Sequence, residues 1–491
     1  MTNAERERMS SVDTAWLRMD RPSNLMMICG VLILGERIPL ARLKYLLADR
    51  FLKFPRFRQR VVLTPVGAYW ETDQDFDLAA HVRSVTLGGR AGKAELQALA
   101  SRLMSEPLDP ERPLWQFHLV ERFDGGSAVI MRIHHCYADG IALIQVMLWM
   151  TSVDRKGRAF GPAPPRPRPR DADDPLAQLV EPVSGALKLG FAAGSTLLEK
   201  GVALWRDPAK AIALAEQGTA LTAEIAKLAS MEEDSRTRFK GSPGVVKRVA
   251  WADPIALSEV KAVGRALGCS VNDVLLSSVA GALGSYLVRH GDDVSGVTIR
   301  ALVPVNLRPP EKAWTLGNRF GLVFLDLPLG IDNPVERVYA VRANMQQLKG
   351  SYQPILAMGI LAAMGAGPKL LQETLLAALA KNATAVMTNV PGPQELLYFV
   401  GAAVHSMMFW VPQSGNIGMG VSILSYNGEV QFGLVTDKGL CPDPGRVIDR
   451  FAPEFDKLLL ATLMSPWPWK EPPTAEEVRQ GIACFATNSR G

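Results

Sequence analysis

The sequence predicts a two-lobed α/β protein, an α+β sandwich in which each half of the chain forms a mixed sheet with helices packed on one side. The chain has 491 residues, more than the ~250–300 at which a single hydrophobic core stops growing. Strand-like and helix-like patterns alternate before residue 160 and again after residue 240. A proline-rich stretch, residues 161–175, separates the two halves and is typical of an extended linker.

These patterns divide the chain into four segments. We predict an N-terminal lobe over residues 1–160, a proline-rich linker and helical bridge over 161–240, a C-terminal lobe over 241–465, and a tail over 466–491. The bridge contains a long helical pattern rich in alanine and leucine, from Leu176 to Met231. Its apolar surface either packs on the lobes or contacts lipid.

In the first half, a hairpin is the clearest element. Leu25 to Leu34 is a continuous apolar run and predicts a buried strand. Trp115 to Val120 alternates in polarity, and a turn at 124–126 joins it to the strand Ser127 to Ile133. The isolated His81 lies in a polar context and is predicted to be at the surface.

In the second half, strands and helices again alternate. Gly268 precedes a long helix, Val274 to Val288, for which either Ser270 or Asn272 is a plausible N-cap. A second hairpin is predicted at 418–435, because its strands flank an Asn-Gly pair, the strongest short turn signal in the chain.

Composition narrows the possible partners and compartment. A net charge of +5 and a pI of about 8.9 fit an anionic small molecule or an anionic membrane surface, and are too weak to indicate nucleic acid. The five scattered cysteines form no C-x-x-C pair, so we expect no disulfide framework, no metal site and a reducing compartment.

Residues 1–13 are charged and do not resemble a signal peptide. No stretch reaches the ~18 uninterrupted apolar residues that span a bilayer. We therefore expect a cytoplasmic protein, either soluble or lying on the inner face of the membrane.

The stretch His134-His135-Cys136-Tyr137-Ala138-Asp139-Gly140 contains two adjacent histidines followed by an Asp-Gly pair. It ends one predicted strand and opens a helix, where the Asp139 carboxylate suits the N-cap. Successive side chains of a strand point to opposite faces, so His134 and His135 face one site only if the strand has already broken. A Cys136–His135 dyad is disfavoured because adjacent side chains rarely point at each other, and we expect Cys136 to be a packed small residue.

This pattern, H-H-x-x-x-D-G, resembles the signature of the CoA-dependent acyltransferase superfamily, which includes chloramphenicol acetyltransferase and peptide-synthetase condensation domains. The resemblance implies that His135 is the general base. It also implies that Asp139 holds the loop in shape without contacting substrate, and that His134 points into the sheet.

Further motifs make the chain similar to the bacterial wax ester synthase/diacylglycerol acyltransferase family over about residues 10–460. In chain order they are Pro113-Leu114-Trp115, His134 to Gly140, Asn272-Asp273, Pro304-Val305-Asn306-Leu307-Arg308, Asn389-Val390-Pro391-Gly392-Pro393 and Ser425-Tyr426-Asn427-Gly428. The family implies two chloramphenicol-acetyltransferase-like lobes with the site in a tunnel between them. It also implies acyl-CoA as co-substrate, a long-chain alcohol or diacylglycerol as acceptor, and no cofactor or metal.

The resemblance also assigns candidate site residues. The catalytic motif supplies His134, His135, Asp139 and Gly140, while Pro113, Leu114 and Trp115 are expected to be structural. Candidate substrate-binding residues are Asn272, Asp273, Asn306, Arg308, Asn389, Pro391 and Gly392. For three of these a second interpretation stays open, because Asn272 is either an oxyanion donor or a helix cap, and Asn306 and Arg308 are either ligands or a turn that fixes the second lobe.

The chemistry fits an O-acyltransferase. Acyl transfer from a thioester to a hydroxyl needs a base near neutral pH, and imidazole has an unperturbed pKa of ~6.5. No G-x-S-x-G elbow is present, so we expect direct transfer without an acyl-enzyme. The alternatives are a condensation-type enzyme that takes its acyl group from a carrier protein, and a non-catalytic lipid-binding protein of the same fold. The intact His135 and Asp139 argue against the latter. Lipid contact is expected at Leu176 to Met231 or at Trp467-Pro468-Trp469-Lys470, since Trp favours the membrane interface.

Overall fold

The computed structural model describes residues 6–64, 67–158, 231–308, 315–349, 351, 353–367 and 369–465. The predicted bridge, except for its last ten residues, and the Trp467–Lys470 motif lie outside these ranges. Within them the fold is two-lobed and of mixed helix and strand, as predicted.

Helices are numbered in chain order among the described residues. They are α1 (Ser11–Arg18), α2 (Leu40–Asp49), α3 (Leu78–His81), α4 (Lys93–Ser105), α5 (Gly140–Met150), α6 (Leu257–Ala266), α7 (Val271–Arg289), α8 (Pro334–Leu348), α9 (Gln353–Ala366), α10 (Lys369–Lys381) and α11 (Pro444–Met464). Several helices begin after an N-cap residue whose side chain accepts a hydrogen bond from a main-chain N–H of the first turn. Ser10 is this residue for α1 and Asn333 for α8.

Strands follow the same numbering. They are β1 (Glu7–Arg8), β2 (Met27–Leu34), β3 (Gln59–Thr64), β4 (Gly67–Thr72), β5 (Val82–Ser84), β6 (Trp115–Phe123), β7 (Gly126–His134), β8 (Lys247–Trp251), β9 (Ile255–Ala256), β10 (Thr298–Asn306), β11 (Phe320–Pro328), β12 (Ala385–Pro391), β13 (Tyr398–Phe399), β14 (Ala402–Trp410), β15 (Met419–Tyr426) and β16 (Glu429–Asp437). The two predicted hairpins are present as β6–β7 and β15–β16.

The N-terminal sheet places the motif His134 to Gly140 at the end of a central strand. Its order is β13-β14-β2-β7-β6-β5, and every residue of β7 is buried. One face of β2 packs through Ile28 and Leu32 into a large core, and its other face packs through Cys29 and Val31 into a second core. We expected helices on one side of each sheet, but this sheet is covered on both faces.

The C-terminal sheet is mixed, with order β11-β10-β12-β15-β16-β8. Its strands β10, β12 and β15 are parallel, so their carboxyl ends lie at the same edge. The motifs that contain Asn306, Asn389 and Ser425 therefore meet at that edge.

Strands from late in the chain complete the N-terminal sheet. β14 pairs antiparallel with β2 from Val404↔Leu34 to Trp410↔Cys29. The predicted C-terminal lobe, residues 241–465, is therefore not continuous in space, because residues 398–410 belong to the other sheet. Without β14, main-chain N–H and C=O groups of the apolar strand β2 would lie unpaired at the edge of the sheet. The pairing with β14 protects this edge.

A second exchange covers the outer strand of the C-terminal sheet. The β8 main chain donates hydrogen bonds from Val249 N to Ser101 Oγ (2.8 Å) and from Lys247 N to Ser105 Oγ (2.9 Å). Both serines lie on α4 of the first half, so side-chain hydroxyls satisfy N–H groups that an edge strand otherwise leaves free.

One described helix, α7, has the length and composition of a membrane span, but 78% of its apolar window is buried inside the fold. It packs against α11, and Tyr286 Oη near its end donates to Asp443 Oδ1 (2.6 Å). These contacts are those of a core helix.

Helix α1 crosses from the first lobe onto α9 of the second. Arg18 Nη1 donates to the carbonyl oxygens of Gly365 (3.2 Å) and Gly367 (2.9 Å) at the end of α9. At Gly365 the two helices touch so closely that an added Cβ would lie 1.6 Å from Ser11 O. Only glycine allows this approach.

We predict that Gly365→Ala lowers the free energy of unfolding by about 1–3 kcal/mol, because the backbone of α1 must move away. The matched control is Gly445→Ala in α11, where a new Cβ meets nothing within 4 Å, and which should be neutral or stabilise by up to about 1 kcal/mol. Denaturant unfolding of both variants measures the difference. Equal stability of the two would contradict the close packing of α1 on α9.

Candidate active site

The catalytic motif begins where β7 leaves its ladder. His134 is the last residue paired with β2, opposite Met27, and His135 N donates to Met26 O (2.7 Å). The strand then turns, and Cys136 N donates to His134 Nδ1 (3.1 Å). The His134 ring is thus used by the loop itself, and its Nε2 lies 3.7 Å from Asp20 Oδ1.

The His135 ring is buried between aromatic side chains of the two lobes. It is 3% exposed, stacks on Trp16 of α1 at 4.0 Å with an interplanar angle of 17°, and lies 5.6 Å from the ring of Phe320 in β11. Desolvation lowers the pKa of His135 to about 4, against a smaller raising effect of Asp139. The imidazole is therefore neutral at pH 7.

Asp139 is the N-cap of α5, as predicted, and it has a second task. Its Oδ1 accepts from Ala142 N (2.9 Å), while its Oδ2 accepts from Arg308 Nη2 (2.6 Å) and Arg319 N (2.9 Å). Both Asp139 and Arg308 are buried. One carboxylate therefore orders the loop beside His135 and binds the second lobe.

A short parallel β-bridge joins the motif loop to the second lobe. Ala138 pairs with Gly317, Gly317 N donates to Tyr137 O (2.9 Å), and Asp139 N donates to Gly317 O (3.3 Å). Gly317 has φ +100°, a backbone conformation that residues with a Cβ rarely adopt. A glycine is needed at this position.

Beyond the bridge, Asn318 links the motif to α1. Its Nδ2 donates to His135 O (2.8 Å) and to Asp13 Oδ1 (2.9 Å), and its main-chain N donates to the same Asp13 oxygen (3.1 Å). Burial raises the pKa of Asp13, and the hydrogen bonds from Ser10 and Asn318 oppose that rise.

The Pro113-Leu114-Trp115 motif supports the loop from the neighbouring strand. Leu114 O accepts a hydrogen bond from His134 N (2.9 Å), and Leu114 N donates one to Tyr137 Oη (3.0 Å). Trp115 is fully buried and its Nε1 donates to Phe57 O (2.8 Å). The surface assignment of His81 is wrong, because His81 is buried against Trp115, where its ring stacks and its Nδ1 lies 2.8 Å from Trp115 O.

Two predicted substrate-binding residues have structural partners instead. Asp273 forms a capping box with Ser270, which is the N-cap of α7, so the cap interpretation of Asn272 is wrong. Arg308 is held by Asp139 and by the main chain at Gly317 (2.7 Å). These contacts favour the alternative in which Arg308 fixes the second lobe.

The remaining candidates lie on the C-terminal sheet edge or next to it. Asn272 is exposed and its Oδ1 accepts from Asn389 Nδ2 (2.7 Å), so α7 and β12 bring these two amides together. Asn306 Oδ1 accepts from Arg308 N (3.0 Å) in a local turn. Gly392 N donates to Ser425 O (2.8 Å), which fixes the loop that contains Pro391.

Asp13, Trp16 and Asn318 are not among the residues predicted from the sequence. Ser10-x-x-Asp13 is typical of a helix start, and Asn318 follows a glycine just before a strand. Neither signal connects these residues to His135, since Asn318 lies 183 positions away in the chain.

The arrangement brings together a neutral imidazole and a buried indole N–H. Trp16 Nε1 has no hydrogen-bond partner among the described residues. Buried polar groups are usually paired, so this N–H is a candidate contact for a bound substrate. Burial raises the pKa of the Cys136 thiol well above its usual value, and such a thiol is a poor nucleophile. Within the described ranges, no three His, Cys, Asp or Glu side chains are placed to hold a metal ion.

Comparison with protein families gives two matches that together cover most of the chain. Residues 9–275 match the wax ester synthase/diacylglycerol acyltransferase catalytic domain, and residues 316–459 match the C-terminal domain of the same family. The first match contains the motif loop and α1, and the second contains Gly317 and Asn318.

Individual relatives agree with this match. A Mycobacterium tuberculosis (strain CDC 1551) protein provisionally named a diacylglycerol O-acyltransferase is 28% identical over 485 residues, covering 93% of this chain and 91% of its own. Another protein of that strain, named a probable diacylglycerol O-acyltransferase, is 30% identical over 394 residues, covering 77% and 81%.

Solved structures share the fold. The wax ester synthase/diacylglycerol acyltransferase from Marinobacter aquaeolei VT8 superposes with a TM-score of 0.66 at 20% identity, covering 93% of this chain and 100% of that one. The first condensation domain of the CDA synthetase gives 0.56 at 15% identity, covering 97% and 99%. The predicted two-lobed architecture is confirmed.

We predict that Asp139→Asn is strongly destabilising, although asparagine is a good N-cap. The amide removes the negative charge from buried Arg308, and breaking one side of a buried ion pair costs about 3–5 kcal/mol. The control is Asn333→Ala, which removes only a cap, that of α8, and should cost about 1 kcal/mol. Thermal or denaturant unfolding compares them, and a similar loss in both would leave Asp139 as a cap alone.

Proposed function

The chain belongs to the wax ester synthase/diacylglycerol acyltransferase family, and from that premise we propose that it transfers a fatty acyl group from acyl-CoA to a long-chain alcohol or diacylglycerol, with His135 as general base. The observation that carries this proposal is a neutral, buried imidazole at the lobe interface, between Trp16 of one lobe and Phe320 of the other. A base must be unprotonated and within reach of a substrate proton, and this ring meets the first requirement at pH 7.

The proposed reaction is a single displacement. His135 takes the hydroxyl proton of the acceptor as its oxygen attacks the thioester carbonyl carbon. The tetrahedral oxyanion collapses, the carbon–sulfur bond breaks, and the imidazolium returns the proton to the CoA sulfur. An ester and free CoA leave, and His135 is neutral again. Because burial disfavours the imidazolium, the return of the proton is favourable.

The burial of Cys136 supports direct transfer over an acyl-enzyme on that thiol. Cys136, the thiol nearest in sequence to the base, is fully buried and its pKa is raised. A cysteine nucleophile needs a lowered pKa and access to substrate. The unpartnered Trp16 N–H is available as a donor to a developing oxyanion.

We predict that His135→Ala lowers turnover by ~10²–10⁴-fold while the protein stays folded. Thiol release from palmitoyl-CoA, with and without hexadecanol or a diacylglycerol, measures turnover, and ester formation is followed in parallel. The control is His118→Ala on β6, which removes another buried histidine of lowered pKa and should leave turnover within a few fold of normal.

The pH profile tests the same assignment. An unperturbed imidazole would give an inflection in kcat/KM near ~6.5. Since the pKa of His135 is lowered to about 4, the fraction of neutral base stays near one on acidification, and kcat/KM should stay level from about pH 8 to about pH 5.5. Near-normal turnover in His135→Ala, or loss centred near ~6.5 in the intact protein, would remove His135 as the buried base.

The same assay separates the rival functions. A condensation-type enzyme would need a carrier-bound acyl group and would ignore palmitoyl-CoA. A non-catalytic lipid-binding protein would release no thiol in any combination. A panel of alcohols and diacylglycerols then reports acceptor preference.

We further propose that the enzyme works in the cytoplasm, on the inner face of the membrane. The described residues offer one surface in support, the end of α11, where Leu460, Leu463 and Met464 are 55%, 72% and 67% exposed. They directly precede Trp467 and Trp469 in sequence, residue types that favour the interface.

We predict that the intact protein floats with vesicles containing anionic lipid and that replacing Leu460, Leu463 and Met464 by Ser reduces the bound fraction several-fold, since apolar burial at the interface is lost. Leu63→Ser is the control, because Leu63 is 64% exposed on β3 in the other lobe. Failure of the intact protein to float, or equal flotation of both variants, would remove this surface.

A further inference from the structure

Among the described residues of the second lobe, Asn318 donates from its side chain to the main chain of His135, the proposed base. Its Nδ2 lies 2.8 Å from the carbonyl oxygen of His135. The same group lies 2.9 Å from Asp13 Oδ1. A single amide therefore joins three segments: the motif loop, the start of β11 and helix α1.

Asp13 fixes Asn318 at two points. Its Oδ1 accepts from both the main-chain N and Nδ2 of Asn318, at 3.1 Å and 2.9 Å. Asp13 is itself set by the start of α1, where Asp13 N donates to Ser10 Oγ (3.0 Å). All of these hydrogen bonds except that of the cap are buried, so they persist without competition from water.

Helix α1 also restricts the orientation of the His135 ring. Trp16, one turn after Asp13, stacks on the imidazole at 4.0 Å. The loop of His135 is therefore held by Asn318 at its main chain and by Trp16 at its side chain. α1 supplies the stacking ring directly and the hydrogen bond through Asp13.

We propose that Asn318 is a positioning residue for the base, acting with Asp13 to fix the main chain of His135 when the two lobes are assembled. This inference rests on the proposed role of His135. Asn318 need not touch the reacting atoms. It determines where the imidazole stands, and a displacement of about 1 Å at a catalytic group can cost on the order of 10²-fold in rate.

The expected result is a split between kcat and KM. Asn318→Ala should lower kcat roughly 10–100-fold, because the loop can shift, with KM for palmitoyl-CoA changed less than about threefold. Asp13→Ala should resemble it. Asp13→Asn should be much milder, since an amide oxygen can still accept from Asn318.

A matched control comes from the other buried asparagine between the lobes. Asn24 Nδ2 donates to Gly415 O (2.8 Å) and Ile417 O (3.1 Å), and its Oδ1 accepts from Lys247 Nζ (3.0 Å). Asn24→Ala removes three side-chain hydrogen bonds across the lobes, one more than Asn318→Ala, but none to the motif loop. It should lower thermal stability at least as much and leave kcat within about twofold of normal at a temperature where both variants are folded.

The deciding measurement is Asn318→Ala in a His135→Ala background. If Asn318 acts through His135, the residual turnover of the double variant equals that of His135→Ala alone. A further loss of 10-fold or more would make Asn318 a structural residue or one that contacts substrate. Normal kcat in Asn318→Ala, with His135→Ala inactive, overturns the inference and leaves the base assignment standing, whereas active His135→Ala overturns the base itself.

Discussion

The carboxylate of Asp139 is the contact on which the site and the assembly of the two lobes both depend. One oxygen starts helix α5 at Ala142, and the other accepts from Arg308 and from the main chain of Arg319. A buried charge is tolerated only when it is paired and hydrogen-bonded. The loop of His135 can therefore reach its final shape only when the second lobe has supplied its arginine.

Burial of this loop sets its acid–base chemistry. The same desolvation that lowers the pKa of His135 raises that of Cys136, because removal of water disfavours whichever form is charged. A neutral imidazole and a neutral, unreactive thiol thus follow from one environment.

Local patterns made part of the molecule predictable from sequence. The strand–turn–helix around His135, the N-cap at Asp139 and the Asn-Gly hairpin depend on residues within a few positions of each other, so periodicity and turn chemistry reveal them. The exchange of β14 into the first sheet and the contact of Asn318 with His135 join residues well over a hundred positions apart. Nothing in local propensity encodes such pairings, and His81 was misplaced for the same reason, since its polar neighbours in sequence are not its neighbours in space.

The exchanged elements make each half of the chain incomplete alone. The first sheet lacks β13 and β14 without the second half, and β2 would then expose its hydrogen-bonding edge. The outer strand β8 of the second sheet would likewise lose the hydroxyls of Ser101 and Ser105. Since Asn318 and Arg308 also reach the motif loop from the second half, the contacts that close the two sheets and those that hold His135 all need both halves. The proposed base is therefore organised only in the assembled chain, which would tie catalytic competence to completion of the fold.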